Sequence, residues 1–216
     1  MKKFFLFAAA AIAALTVNAT VYNFAGITAE QITTDGTKGT YSMDGKDCPS
    51  VSQPDGVDIN VKLARQDGLV INYTQSAGKS KDNILKFAEQ YMQADGKNVI
   101  LTFSNVTPGS KISLVVSAKG STNSNFTALA GASGADQAVE KIEKVADYKT
   151  IEFTATAATV QIKETAGGYR IVSATVENNQ AVDNVNAEVK SVKTFENGQL
   201  VIIKNGVKYN ALGAQL

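Results

Sequence analysis

The sequence predicts an all-β fold, an antiparallel β-sandwich followed by a short C-terminal β-hairpin or three-strand ribbon. Apolar and polar residues alternate along many short segments, and this alternation is the period of a half-buried strand. Turn signals separate the segments at short intervals, as in antiparallel sandwiches and not in parallel sheets with crossover helices. The chain has 216 residues, of which 44% are hydrophobic, and this is enough to bury one large core.

Segment 1–19 has the pattern of a signal peptide. Two lysines precede an apolar run from Phe4 to Leu15, and small residues follow up to Ala19. The run is short for a membrane span, so we expect a mature chain from about Thr20 with no span after signal removal. This predicts an extracellular or cell-surface protein, with the periplasm as the alternative. Loss of the two lysines changes the net charge from +1 to −1, which gives no electrostatic reason to bind nucleic acid.

Six alternating segments predict strands of the sandwich between residues 57 and 177. Their inward-facing residues are Val57, Ile59, Val61 and Leu63; Val99, Leu101 and Phe103; Ile112, Leu114, Val116 and Ala118; Ile151, Phe153 and Ala155; Val160 and Ile162; and Val172, Ala174 and Val176. On the third segment, Ser113 and Ser117 are expected to face outward. Gly and Pro favour turn backbone angles and predict turns at Gln66-Asp67-Gly68, Thr107-Pro108-Gly109-Ser110 and Ala166-Gly167-Gly168. The last of these turns is also a hairpin signal for the two strands that it joins.

Segments 82–92 and 135–146 fit two structures. Their apolar residues recur at helical spacing, but runs this short are also compatible with a strand plus a loop. Segment 178–188 is polar and breaks the alternation. It is predicted to be a linker between a sandwich domain at 20–177 and a C-terminal tail at 189–216.

The tail is predicted to be a β-hairpin around Asn205-Gly206, because this dipeptide favours a two-residue type I′ turn. The turn pairs Lys204 with Val207 and Ile202 with Tyr209. It also pairs Ile203 with Lys208 and Leu200 with Ala211. A second Asn-Gly at 197–198 predicts a third strand before the hairpin.

The tail sequence VKTFENGQLVIIKNGVKYNALGAQL resembles the short C-terminal tails of secreted Bacteroidetes proteins that are read by the type IX secretion system. The resemblance implies the secretion machinery as a partner of the tail. The alternative is a closing hairpin that completes the fold, since an apolar ribbon needs burial under either interpretation.

The residue inventory excludes several kinds of active site. The chain has no His, no Trp and a single cysteine, Cys48, which rules out Ser-His-Asp and Cys-His nucleophile pairs and an internal disulfide. Asp44, Asp47, Asp55 and Asp58 could offer oxygen ligands to calcium, but their spacing matches no EF-hand loop. We therefore predict no enzyme, no cofactor and no metal site.

The body resembles the jelly-roll domains attached to bacterial polysaccharide lyases, which are similar to carbohydrate-binding modules. The resemblance is carried by VYNFAGIT at 21–28, by the segment from Leu85 to Ser121 and by the segment from Tyr148 to Glu177. It implies a jelly-roll-like sandwich with a polysaccharide or glycan as partner. Sugar binding needs aromatic faces with nearby amides, and this predicts the following ligand-binding residues: Tyr91, Asn123, Asn125, Phe126 and Tyr148. In the alternative, these aromatic rings fill the core and the Asn residues shape turns.

The sequence therefore favours a secreted, non-catalytic β-sandwich module that binds carbohydrate or surface glycan. One alternative is a structural or adhesive surface protein without a small ligand. A second is a polysaccharide-cleaving enzyme that works through carboxylates, although the sequence contains no paired acidic motif for it.

Overall fold

The structure is a computed structural model that describes residues 17–52, 57–74, 84–95, 99–179, 191–196, 199–204, 207–210 and 214–216. Thr16–Gln180 forms one compact unit, and Ala181–Leu216 belongs to a second one. Residues 1–16 of the expected signal peptide and residues 180–188 of the expected linker lie outside the described residues. No helix in the described part of the chain is long and apolar enough to cross a membrane.

The first unit is built almost entirely from short strands. They are β1 (Val17–Asn23), β2 (Ile32–Thr34), β3 (Thr37–Met43), β4 (Lys46–Ser52), β5 (Asp58–Leu63), β6 (Leu69–Thr74), β7 (Leu85–Phe87), β8 (Met92–Ala94), β9 (Val99–Ser104), β10 (Lys111–Ala118), β11 (Ser124–Ala130), β12 (Ala132–Ser133), β13 (Gln137–Val139), β14 (Lys149–Ala155), β15 (Thr159–Ala166) and β16 (Tyr169–Asn179). Two single-turn 3₁₀ helices, Ala29–Gln31 and Val145–Asp147, connect some of them.

The described strands of this unit form two sheets. Sheet I has the order β12-β14-β10-β16-β8-β7-β4-β3, with β1 also paired to β16, and sheet II has the order β13-β11-β15-β9-β6-β5-β2. The pairs within both sheets are antiparallel, for example β10 with β16 and β6 with β9. This confirms the predicted all-β class and antiparallel sandwich. The jelly-roll order of connections stays a prediction.

One hydrophobic cluster lies between the sheets and draws on both. The residues predicted to face inward on β9, β10, β14 and β15 are buried, because each strand alternates a core face with an outer face. Two expectations are wrong. Val57 is 46% exposed because β5 begins only at Asp58. Ser117 is buried under the loop that contains Ile142. Its hydroxyl accepts the Ile142 N–H at 2.8 Å, and this hydrogen bond offsets the cost of burying a polar group.

Strand β16 contains a bulge that corrects a further expectation. Val115 pairs with Ser173 and Val116 pairs with Ile171, so Val172 is an extra residue on β16. The inward phase therefore changes along the strand, with Tyr169 and Ile171 buried before the bulge and Ala174 and Val176 after it. Val172, predicted to face inward, is only half-buried, and its carbonyl oxygen accepts the Phe24 N–H at 2.9 Å.

The helical interpretation of segments 82–92 and 135–146 is wrong where the structure describes them. The first forms β7 and the start of β8, and the second forms β13 and the 3₁₀ turn. Each strand here has only three residues, too few to display a strand period. The first two residues of the expected linker, Asn178 and Asn179, instead continue β16.

The three predicted turns join consecutive strands. The turn at 66–68 joins the paired strands β5 and β6 of sheet II, whereas the other two turns pass from sheet II to sheet I. The hairpin predicted at Ala166-Gly167-Gly168 is wrong, because β15 lies in sheet II and β16 in sheet I.

In the turn between β9 and β10, the Ser110 N–H donates to the Thr107 carbonyl at 3.0 Å, and Gly109 has φ +89°. Only glycine adopts such a backbone angle without strain. Gly68 and Gly167 hold similar angles in the turns before β6 and β16.

The second unit contains a three-stranded antiparallel ribbon of β17 (Ser191–Glu196), β18 (Gln199–Lys204) and β19 (Val207–Asn210). Ile202 pairs with Tyr209 and Lys204 pairs with Val207, which confirms the predicted register. Ile203 also pairs with Lys208 as predicted. The turn residues Asn205-Gly206 and 197–198 lie outside the described residues, as does Ala211, the predicted partner of Leu200.

The C-terminal end of the chain returns to β19. The Leu216 N–H donates to the Lys208 carbonyl at 2.9 Å, and the Ala214 N–H donates to the Asn210 side-chain oxygen at 2.8 Å. Tyr209 also forms a bridge with Gln215. These bonds satisfy part of the free edge of the ribbon.

Candidate functional site

A cleft of about 570 Å³ opens in the first unit, and we call it the Tyr91 cleft. Three segments line it, namely 26–29, 43–49 and 87–91. Its lining combines buried apolar side chains with exposed polar ones. The buried residues are Ile27, Cys48 and Phe87, and the exposed polar residues are Thr28, Asp44, Lys46, Asp47, Glu89 and Gln90. An apolar patch with convergent polar groups is the usual lining of a small-molecule site.

The hairpin of β3 and β4 supplies one wall of the cleft. Its two-residue loop is Asp44-Gly45, and both residues have positive φ, +53° and +76°. These are the signs of a type I′ turn, for which Asp-Gly is a preferred sequence. The tight turn places Asp44 and Lys46 at the mouth of the cleft.

Backbone hydrogen bonds hold the other two segments together. The Gly26 N–H donates to the Ala88 carbonyl at 3.1 Å, and the Ala88 N–H donates to the Tyr91 carbonyl at 2.9 Å. Gly26 has φ +65°, which favours glycine at this position. The exposed ion pair of Lys46 with Glu89, at 2.9 Å, joins the hairpin wall to the loop between β7 and β8.

The ring of Tyr91 is half-buried and lines the cleft. The Arg170 guanidinium carbon lies 4.9 Å from its centroid, and the Tyr148 ring lies 6.4 Å away at an interplanar angle of 34°. These contacts fix the orientation of the ring. Burial raises the pKa of Tyr91 and outweighs the opposite effect of Arg170, so the phenol is neutral at pH 7 and can donate a hydrogen bond.

A buried polar network stands behind Arg170. Its Nε donates to Gln93 Oε1 at 3.0 Å, and Gln93 Nε2 donates to Asp95 Oδ1 at 2.7 Å. Lys119 Nζ contacts the same Asp95 oxygen at 2.7 Å, and Lys86 is bonded to the other. The side chains of Lys86 and Asp95 are 3% and 2% exposed. Such a satisfied network restricts the rotamers of its members.

Lys86 also links the network to the hairpin wall. Its ammonium lies 3.7 Å from the centroid of the Tyr41 ring, which belongs to β3. On the neighbouring β4, the Cys48 thiol donates to the Tyr41 carbonyl at 3.3 Å. Burial raises the pKa of Cys48, despite the opposing effect of Lys86, so this thiol is protonated at neutral pH and unreactive.

The described lining of the Tyr91 cleft carries more negative than positive charge. Asp44, Asp47 and Glu89 stand against Lys46, which gives a formal charge of −2. The hydrogen-bonded ammonium of Lys46 lowers the pKa of Glu89, so this carboxyl group stays ionised. A general acid of a glycosidase needs a raised pKa, and Glu89 therefore does not suit that role.

The predicted ligand-binding residues do not all come together. Tyr91 and Tyr148 are neighbours, although Tyr148 is only 7% exposed and is not part of the cleft lining. Asn123 is exposed before β11, and Asn125 is half-buried on that strand, which belongs to sheet II. Phe126 is 1% exposed and packs edge-on against Tyr169 at 5.2 Å. Its ring fills the core and offers no face to a sugar.

The aspartates weighed as calcium ligands are also separated. Asp44 and Asp47 lie at the Tyr91 cleft, whereas Asp58 lies on β5 of sheet II and accepts the Thr74 hydroxyl. Asp55 lies outside the described residues. Among the residues that the structure describes, no group of three or more His, Cys, Asp or Glu side chains could hold a metal ion.

Sequence reasoning did not identify Lys46, Glu89 or Arg170 as site residues. The Asp44-Gly45 dipeptide could have indicated Lys46, which follows it, because Asp-Gly predicts a hairpin turn as clearly as Asn205-Gly206 does. No local signal marks Arg170, because an arginine on an alternating strand has the pattern of a solvent-facing residue.

A scan against known protein families and a search of curated proteins found no match to this chain.

Proposed function

We propose that the chain is a non-catalytic carbohydrate-binding module that holds a glycan in the Tyr91 cleft. The observation that carries this proposal is an oriented, half-buried tyrosine ring in a cleft whose apolar floor is bordered by polar side chains. Sugar C–H groups pack on an aromatic surface, and sugar hydroxyls need donors and acceptors beside it. The resemblance of the body to carbohydrate-binding domains points to the same class of ligand.

The charge of the cleft narrows the class of glycan. Its formal charge of −2 repels carboxylates, so a polyuronate is disfavoured. Neutral sugars and amino sugars suit the cleft better. Binding of a neutral polysaccharide should therefore be tighter than binding of polygalacturonate, most clearly at low ionic strength.

Substitution of Tyr91 tests the proposal. Tyr91→Ala should weaken binding of a neutral polysaccharide about fivefold to tenfold, because the contact surface of the ring is lost. Tyr91→Phe should keep most of the affinity. Affinity electrophoresis of the full chain against soluble β-glucan, galactomannan and arabinoxylan measures the effect, and titration calorimetry on the best ligand gives the dissociation constant.

Tyr209→Ala is a matched control, because Tyr209 is also half-buried and lies on the ribbon. Equal affinity of wild type and Tyr91→Ala, or binding of none of these polysaccharides, would overturn the proposal. Release of new reducing ends or unsaturated products would instead support the carboxylate-based enzyme.

Export belongs to the same proposal. It rests on the signal-peptide pattern of segment 1–19 and on the likeness of the tail to type IX sorting tails. Fractionation with mass spectrometry of the native protein tests it. A protein in the medium or on the cell surface that lacks the tail supports sorting. An intact tail on a periplasmic protein contradicts sorting by the tail but still agrees with export through the signal peptide.

A further inference from the structure

The outer face of sheet II carries a second recess, a shallow groove of about 550 Å³. None of its lining residues lines the Tyr91 cleft. Five of the polar side chains form a continuous row, which we call the amide ladder. They are Asp35, Asn60, Asn72, Thr102 and Gln161.

The ladder runs across neighbouring strands. Asn60 pairs with Asn72 between β5 and β6, and Thr102 pairs with Gln161 between β9 and β15. The residues before and after each of these four are buried, so strand alternation directs the four side chains outward. Four adjacent strands span roughly 14 Å, since neighbouring strands lie about 4.8 Å apart.

Hydrogen bonds connect the ladder in a single direction. The Gln161 amide lies 3.4 Å from the Thr102 hydroxyl, and that hydroxyl donates to Asn72 Oδ1 at 2.7 Å. Asn72 Nδ2 then donates to Asn60 Oδ1 at 2.5 Å. Asn60 Nδ2 donates to Asp35 Oδ2 at 3.0 Å, and the Asn60 backbone N–H donates to Asp35 Oδ1 at 2.7 Å.

The direction of these hydrogen bonds determines which donors and acceptors of the ladder stay available to a ligand. An asparagine has two N–H donors and two acceptor lone pairs, and in the ladder Asn60 and Asn72 each use one donor. Each therefore keeps an N–H and acceptor capacity in a set orientation. The backbone and side-chain bonds from Asn60 lower the pKa of Asp35, so the acceptor end of the row stays ionised at neutral pH.

Sugar hydroxyls match such a row, because each hydroxyl both donates and accepts. A set of donors and acceptors that needs no reorientation reduces the entropy cost of binding. The described groove lining has one carboxylate, Asp35, and one amine, Lys62, which leaves no net charge to select an ionic ligand. It contains no aromatic ring, so recognition here depends on hydrogen bonds.

We propose that the amide ladder is a second carbohydrate-binding site, which takes the neutral backbone of a polysaccharide along the outer face of sheet II. It is separate from the site proposed at the Tyr91 cleft. Each site can therefore be lost without the other.

Nuclear magnetic resonance of the full-length, ¹⁵N-labelled protein tests the inference. Soluble oligosaccharides of β-glucan, galactomannan and arabinoxylan serve as probes, with oligogalacturonate as the acidic comparison. At least one neutral probe should shift the side-chain amide signals of Asn60, Asn72 and Gln161 in a saturable manner. The same shifts should persist in Tyr91→Ala.

Isosteric variants separate binding from sheet stability. Thr102→Val removes the hydroxyl that connects Gln161 to Asn72 and should weaken binding at the ladder about fivefold or more, whereas Thr102→Ser should retain the affinity. Thr154→Val is the matched control, an exposed strand threonine on sheet I, and should bind like wild type. Thermal melting of all three confirms that they are folded.

Three outcomes would overturn the inference. Shifts confined to the Tyr91 cleft would leave the first site and remove the second. Unchanged affinity of Thr102→Val at the ladder would show that the row serves only cross-strand pairing. No shift with any probe would remove both sites.

Discussion

Arg170 connects the interior of the sandwich to the Tyr91 cleft. It stacks on the Tyr91 ring and donates to Gln93, which in turn donates to the buried Asp95. A partly desolvated cation over an aromatic ring contributes about 0.5–2 kcal/mol. The orientation of the ring at the cleft therefore depends on charges that a ligand never touches.

Asp95→Ala should lower the free energy of unfolding by about 3–5 kcal/mol, because Lys86 would keep a charge in a buried site without its partner. Urea denaturation measures the change. Glu89→Ala is the control, since it breaks an ion pair whose side chains are 77% and 75% exposed, and should move the midpoint little. Equal midpoints for the two variants would contradict a structural role for the buried pair.

The sequence indicates Tyr91 as a site residue for a general reason, since an aromatic residue beside a loop is a common sugar contact. It leaves Phe126 open between a ligand contact and a core residue, and it does not indicate Lys86 as a buried cation. Both depend on which strands become neighbours. Lys86 is stabilised by Asp95 nine residues away and by the Tyr41 ring on a third strand, and no local pattern records such a meeting.

At the scale of elements, the chain changes sheets at Gly131. This residue lies between β11 of sheet II and β12 of sheet I, with φ +62°. Its carbonyl accepts the Thr156 N–H at 2.8 Å and the Ala157 N–H at 3.2 Å. The connection from sheet II to sheet I therefore also anchors, through these two hydrogen bonds, the segment that joins β14 to β15.

Gly131→Ala should destabilise the sandwich strongly, because an added Cβ would lie 1.9 Å from the Thr159 carbonyl oxygen, and the backbone cannot move without breaking these bonds. We expect a fall in thermal midpoint of at least 5 °C, corresponding to about 2 kcal/mol or more. Gly120→Ala is the control, since nothing lies within 4 Å of its added Cβ. A midpoint for Gly131→Ala within 1 °C of that control would refute the expected clash.

Strands with a long run of alternating apolar and polar residues were predictable from the sequence, and strands of only three residues were not. Three or more inward residues alternate along β5, β9, β10 and β14, and two do so along β15. Sequence analysis placed these residues correctly, and its errors were Val57 before β5 and Ser117 on β10. β7, β8 and β13 have three residues each. In them, tertiary pairing overrides a local pattern that fits a helix equally well.

At the scale of the whole molecule, the described core cluster belongs entirely to the first unit. Its residues lie between Tyr22 and Val176, and the described ribbon strands begin at Ser191. A sandwich of this size can bury enough apolar surface to fold without help.

A chain that ends at Gln180 should therefore keep a β-type circular dichroism spectrum and a cooperative thermal transition within a few degrees of that of the full chain. The full chain with Val201→Ser is the companion variant, because it perturbs a buried residue of the ribbon while leaving the sandwich sequence intact. Loss of cooperative unfolding in the shortened chain would mean that the sandwich needs the residues after Gln180.

The extra residue in β16 constrains how this sequence can diverge. Tyr169 and Ile171 face the core before Val172, and Ala174 and Val176 face it after Val172, so the extra residue separates two halves that both contribute to the core. A deletion of Val172 would regularise the pairing and keep both sets of residues inward, but it would remove the carbonyl that accepts the Phe24 N–H. Descendants that lose one residue from β16 should therefore show the alignment gap between positions 171 and 174, because a single deletion elsewhere in the strand would turn one half of it to the opposite face.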